Sequence, residues 1–199
     1  EAALSQAMLA ANLAVYTLAH GPEPSLHAMQ TTLTAVVFSG RQLYIAHAGD
    51  TRVYLLRAGA CMQLTGDHSE AAELLRLRLI TPEQAVSHPR RSVLTRALGA
   101  TPQLRPDFQR SPIQRGDRLL LCTDGLWGDL PLDELHQTLA AHPDAPASAC
   151  AQLLARALER GGSDNVSLYV IDVVDPGPAT PSAPSGRIGR LLAGLRGGG

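Results

Sequence analysis

The run Leu119-Leu120-Leu121-Cys122-Thr123-Asp124-Gly125 ends an apolar stretch on a carboxylate, and Asp164-Asn165 sets another just before the apolar stretch that starts near Val166. Two further acids stand beside turn signals: Asp50 in AHAGDTRVYL and Asp67 in LTGDHSEAAEL. Singly, each has a plain structural use. Asp124 suits the cap of a short turn, Asp164 with Asn165 a turn before a strand, and Asp67 the start of a helix. Asp50 suits the end of a hairpin, with Arg52 able to pair with it. Together they fit another chemistry. Acids at the ends of adjacent buried strands converge, and converging carboxylates repel unless they share protons or bind cations. Hard oxygen donors select magnesium or manganese.

Competing chemistries find little support. The seven histidines show no H-x-x-x-H or similar ligand spacing, so zinc is not indicated. G-x-S-x-G and G-x-G-x-x-G are both absent. All 17 basic residues are arginine, which excludes a Schiff-base lysine and a phosphate-loop lysine. What remains is metal-assisted hydrolysis by water. A net charge of -1 gives no global attraction to nucleic acid, so no nucleic-acid partner is expected. Cys61, Cys122 and Cys150 form no C-x-x-C pair and suit a reducing cytoplasm. No stretch is read as reaching the roughly 18 apolar residues of a membrane span, and no charged-then-apolar leader opens the chain. Glu1 begins inside a helical pattern, which reads as the later part of something longer.

The elements that must position the acids follow from periodicity. Residues 1–19 carry Leu4, Met8, Leu9, Leu13 and Tyr16 near the helical period. TTLTAVVF, QLYIAHAG, TRVYLLRAG and CMQLT are short β-rich runs spaced for an antiparallel meander. A helical insert begins at Ser69, and Thr81-Pro82-Glu83-Gln84 is a helix start with a capping box. GDRLLLCTD then reads as a strand, 132–139 and 145–160 as helices, and NVSLYVIDV as a last strand. Helix, strand run, helices, strand, helices, strand indicates an α+β fold with antiparallel sheets and helices outside. The domain is expected over 1–174. Residues 175–199 have too little apolar surface to offset ordering entropy and are expected as a flexible tail, Ile188, Leu191, Leu192 and Leu195 being its one apolar face.

MQTTL (29–33), AHAGDTRVYLL (46–56), QLTGDHSE (63–70), LTRALG (94–99), GDRLLLCTDGLW (116–127) and GGSDNVSLYVIDV (161–173) resemble, in order, the later motifs of the metal-dependent serine/threonine protein phosphatases, the PPM or type 2C family. The resemblance implies an αββα sandwich of two antiparallel sheets flanked by helices, with a site for two Mn2+ or Mg2+ ions at one end. By it, Asp124 and Asp164 ligate a core metal and are the catalytic acids. Asp67 helps to hold a third ion, and Asp50 belongs to a structural motif. A metal-activated water would hydrolyse phosphoserine or phosphothreonine in a protein, and a Ser/Thr kinase is the further partner the resemblance implies. The alternative is a pseudophosphatase or docking module without catalysis. The family's phosphate-holding arginine and its bridging aspartate in a D-G segment would stand before residue 1, so the amino-terminal part is read as missing and this chain as weakly active or inactive. Gly128 stands where some members carry an acid four residues after Asp124, with Asp129 one place later.

Overall fold

A computed structural model describes residues 2–177. The expected tail therefore lies outside the described residues beyond position 177, as does its apolar face. The elements are α1 (Ala2–Ala19), β1 (Leu33–Ser39), β2 (Gln42–Ala48), β3 (Arg52–Arg57), β4 (Ala60–Gln63), α2 (Glu70–Arg76), α3 (Pro82–Val86), β5 (Asp107–Pro112), β6 (Arg118–Cys122), α4 (Asp124–Trp127), α5 (Leu132–Ala140), α6 (Pro146–Glu159) and β7 (Leu168–Asp172). Strands β1-β2-β5 form one antiparallel sheet and β4-β3-β6-β7 another.

Alternation along the strands builds three apolar layers. Val53, Leu55 and Leu119 point inward and pack with Leu43, Ile45 and Ile113 between the sheets. Their neighbours Tyr54, Leu120 and Cys122 point outward against Leu135 and Leu139 of α5 and Leu153 and Ala157 of α6. On the other side Ala46 and Ala48 receive Met8 of α1 together with Leu98. Each fully buried leucine contributes about 1.5–3 kcal/mol relative to exposure. The result is the αββα layering expected.

Three expectations need correction. First, the four β-rich runs do not form one meander. β1 and β2 pair in one sheet, β3 and β4 in the other, and the chain crosses between sheets at Gly49-Asp50. Gly49 has φ +120, and a Cβ there would lie 2.3 Å from Thr32 Cγ2, so the crossing needs glycine. Second, β5 was missed, because DFQRSP is largely exposed and shows no apolar alternation. Third, α1 is long and apolar enough by length and composition to cross a membrane. Alanine raises hydropathy here without marking a stripe. In this fold the helix docks by Met8 and by Asn12, whose Nδ2 donates to Thr101 O (3.0 Å) and whose Oδ1 accepts from Gly99 N (3.0 Å).

The register decides what gathers where. Arg52 opposes Cys122 and Cys122 opposes Leu168, so the start of β3, the end of β6 and the start of β7 lie side by side. The residues just beyond them are Asp50, Asp124 and Asp164. At the opposite end of the same sheet, Arg118 fixes the end of α5 and the loop that leads to α6. Its guanidinium donates to both oxygens of Asp172 and to the carbonyls of Leu139, His142 and Pro143.

Candidate metal centre

Hydrogen bonds of Thr123 join the end of β6 to the segment before β7. Thr123 N donates to Ser167 O (3.0 Å), Ser167 N to Thr123 Oγ1 (3.0 Å), and Thr123 Oγ1 to Asn165 O (3.2 Å). Gly125 completes the approach: a Cβ there would stand 2.5 Å from Asn165 O and 3.2 Å from Asp164 O. Asp124 and Asp164, forty positions apart in sequence, are thus neighbours in space. Each carboxylate uses one oxygen to accept the next residue's amide, Gly125 N at 3.1 Å and Asn165 N at 2.6 Å. Asp124 also opens α4, where the helix dipole favours negative charge.

Asp67 stands at the same end but is engaged. Arg52 grips it with two bonds, Nε to Oδ1 (2.9 Å) and Nη2 to Oδ2 (2.6 Å), and Gln63 Nε2 adds a third at 3.3 Å. The Arg52 guanidinium lies 3.5 Å from the centroid of the Trp127 ring and donates to Tyr54 Oη. Arg52 therefore does not hold Asp50. The cap of α2 is Ser69, not Asp67, because its hydroxyl accepts from Ala72 N. Asp67→Asn is expected to cost about 1.5–3 kcal/mol, the range for a hydrogen bond to a charged group, where a bare cap would lose little to asparagine. Urea denaturation of the two proteins measures it.

Asp50 is 8% exposed, and its main-chain carbonyl accepts from Trp127 Nε1 at 3.0 Å. Burial first, then the charges of Asp124 and Asp67, push its carboxyl up to about 6. Beneath this end, His47 and His68 stack with ring centroids 4.8 Å apart. His47 Nε2 donates to Gly66 O (3.1 Å) and its Nδ1 accepts from Thr34 Oγ1 (2.8 Å), which fixes the loop that presents Asp67. Burial and the neighbouring His68 lower His47 from 6.5 to about 4. A group whose folded value lies below its unfolded one stabilises the fold above the unfolded value and withdraws that contribution as pH falls. The metal-free melting temperature is therefore expected to drop as pH goes from 6.5 to 4, and to drop less in His47→Gln. Asp50, raised from 3.8 to about 6, has the opposite sign: its contribution declines as pH rises through that interval. Equal pH slopes for wild type and His47→Gln would remove His47 from this role.

Among the described residues no three of His, Cys, Asp and Glu form a closed metal cage. The acids borne by the adjoining segments, Asp124 and Asp164, offer hard oxygen donors, and magnesium-type ions keep several waters, so such donors suit them better than zinc. A further acid lies near this segment. Asp129 Oδ2 is buried without a partner, while its Oδ1 is 3.5 Å from Ser163 Oγ, next to Asp164.

A family model described as Protein phosphatase 2C matches residues 1–166. The serine/threonine protein phosphatase PstP of Mycobacterium tuberculosis is 44% identical over 153 residues, 77% of this chain and 29% of that protein. The serine/threonine phosphatase stp of Listeria monocytogenes is 38% identical over 150 residues, 75% of this chain and 59% of that protein. The chain thus spans well under two thirds of either relative. A crystal structure of the PstP catalytic domain, in complex with two manganese ions, superposes with a TM-score of 0.78 at 37% identity, covering 87% of this chain and 71% of that one.

Proposed function

Since the chain belongs to the protein phosphatase 2C family, we propose that it supplies the acid half of a metal centre that hydrolyses phosphoserine or phosphothreonine in proteins. The observation that carries this reading is the adjacency of Asp124 and Asp164 through Thr123, Ser167 and Gly125. Those two acids would hold a Mn2+ or Mg2+ ion; the related PstP catalytic domain is in complex with two manganese ions. Bound divalent ions would lower the pKa of a water toward neutrality and offset phosphate charge. The protein's own work is placement. Gly125 lets the two segments close, Trp127 ties α4 to the sheet crossing, and Arg52 restrains Asp67. A third ion at Asp67 would compete with Arg52 for the same oxygens. Two carboxylates do not fill the octahedral shell of such an ion, so the remaining donors come from water and from residues outside this pair.

A serine/threonine kinase is the enzyme class that must generate such a substrate, and the free thiols Cys61, Cys122 and Cys150 suit a reducing, cytoplasmic setting. The test compares this chain with a chimera that adds the part of the Mycobacterium tuberculosis PstP catalytic domain it does not match. Both are assayed on p-nitrophenyl phosphate and a phosphoserine peptide. Turnover is expected in the chimera, requiring Mn2+ or Mg2+ and stopping with a chelator, and little in the chain by itself. Metal-independent turnover would overturn the mechanism. A folded but inactive chimera would return the docking-module reading.

A further inference from the structure

Opposite the acids, the second sheet ends on a hollow of about 420 Å3 between the β3–β4 turn, the start of β6, the end of α5 and the segment after β7. Leu56, Leu139, Pro143, Val173 and Val174 give it an apolar lining, and Val174 is left 75% exposed. The buried charges beside it are closed, since Arg57 holds Asp117 and Arg118 holds Asp172. Asp144 and Arg115 are its exposed charges, and neither forms an ion pair among the described residues. The chain passes this hollow as it leaves β7. Val173 N donates to Asp117 O (2.8 Å), Gly116 N to Val173 O (2.9 Å), and Arg41 Nε to Gly177 O (3.3 Å). Residues 178–199 follow. They carry Arg187, Arg190 and Arg196 and no acid, whereas all 18 acids of the chain precede residue 176. Ile188, Leu191, Leu192 and Leu195 recur at i, i+3, i+4 and i+7, the spacing of a one-sided apolar stripe.

We propose that the hollow docks residues 187–196 of the same chain, with Leu191 and Leu192 against the apolar lining and the flanking arginines against Asp144. Ten residues separate Gly177 from Ile188, and at about 3.3 Å each they reach well beyond a hollow that Val174 already lines. Tethering raises the local concentration of such a segment to the millimolar range, so even weak contacts hold it. Charge decides between this occupant and an anionic lipid surface. The rest of the chain is net negative, so it attracts its own basic segment and is repelled by anionic headgroups. Because the hollow lies at the far end from Asp124 and Asp164, docking leaves that site open.

Amide hydrogen exchange of the full chain tests it. In wild type the amides of 188–196 should exchange about 10-fold more slowly than in a free peptide of the same sequence, as a Kd of about 0.1 mM at an effective concentration of about 1 mM gives. Val174→Asp and Asp144→Arg, both at exposed positions, should abolish that protection without moving the melting temperature. Asp144→Arg combined with Arg187→Asp and Arg190→Asp should restore it. Wild-type amides that exchange as fast as the free peptide, or protection that persists in both hollow variants, overturn the proposal. So does protection that grows with protein concentration, which would mean a second copy, or that appears only with phosphatidylglycerol vesicles, which would mean a lipid surface. Should either hollow variant melt early, the paired substitution Leu191→Asp and Leu192→Asp decides from the other side. Loss of protection there, with shifted amide signals at Ala140 and Val174, supports docking; unchanged signals at those two residues refute it.

Discussion

Asp124→Asn, in the PstP-extended chimera, is expected to lower Mn2+-dependent turnover at least about 100-fold with little change in melting temperature. The fold should survive because the bond that Asp124 makes, from Gly125 N to its Oδ1, is one an asparagine oxygen also accepts. The contacts that close the site run through Thr123, Ser167 and the Gly125 backbone, which the substitution leaves alone. What disappears is the charge, and with it the attraction for a hard cation. Asp164→Asn should behave alike, since its one local bond comes from Asn165 N. If the loss lies in affinity, raising Mn2+ should restore part of the rate. Turnover and Mn2+ titration on the purified variants read both effects. Wild-type turnover in Asp124→Asn would show that the carboxylate beside Gly125 is only a helix-start acid.

The second large effect is on stability and lies at the other end of β6. Arg118 is 4% exposed and has five N–H donors, all of them used on Asp172 and on three carbonyls at the end of α5 and the loop after it. Arg118→Met fills similar space but strands the Asp172 carboxylate and those carbonyls. Breaking a buried pair by removing one partner costs about 3–5 kcal/mol. Since whole domains are stable by only about 5–15 kcal/mol, the variant should unfold at a much lower urea concentration. Arg118→Lys should recover little, because a point charge cannot reach five acceptors in a planar fork. A midpoint shift equivalent to less than about 1 kcal/mol would mean that the carbonyls find water instead.

Legibility differed among the parts for physical reasons. The β-rich run at 52–57 and the apolar run 119–122 marked β3 and β6, because both bury side chains on each face. The capping box at Thr81 and Gln84 formed as expected, since its bonds are local to one turn. β5 stayed hidden because its pairing with β2 owes little to buried side chains. Asp67 was legible as an acid beside a helix start but not as the partner of Arg52, which reaches it across 15 residues.

The sequence by itself determined the layers and the acids: which faces are apolar, where strands end, and that carboxylates stand at those ends. These depend on residue type and short spacing. Only the tertiary structure decided how the acids are shared out. The crossing at Gly49 moved Asp50 out of a hairpin and into the connection between sheets, Arg52 took Asp67, and Gly125 admitted the Asp164 backbone. Those outcomes depend on strand register, on one positive φ and on which of two acids lies within reach of a single guanidinium. Such long-range geometry leaves no local pattern in the chain.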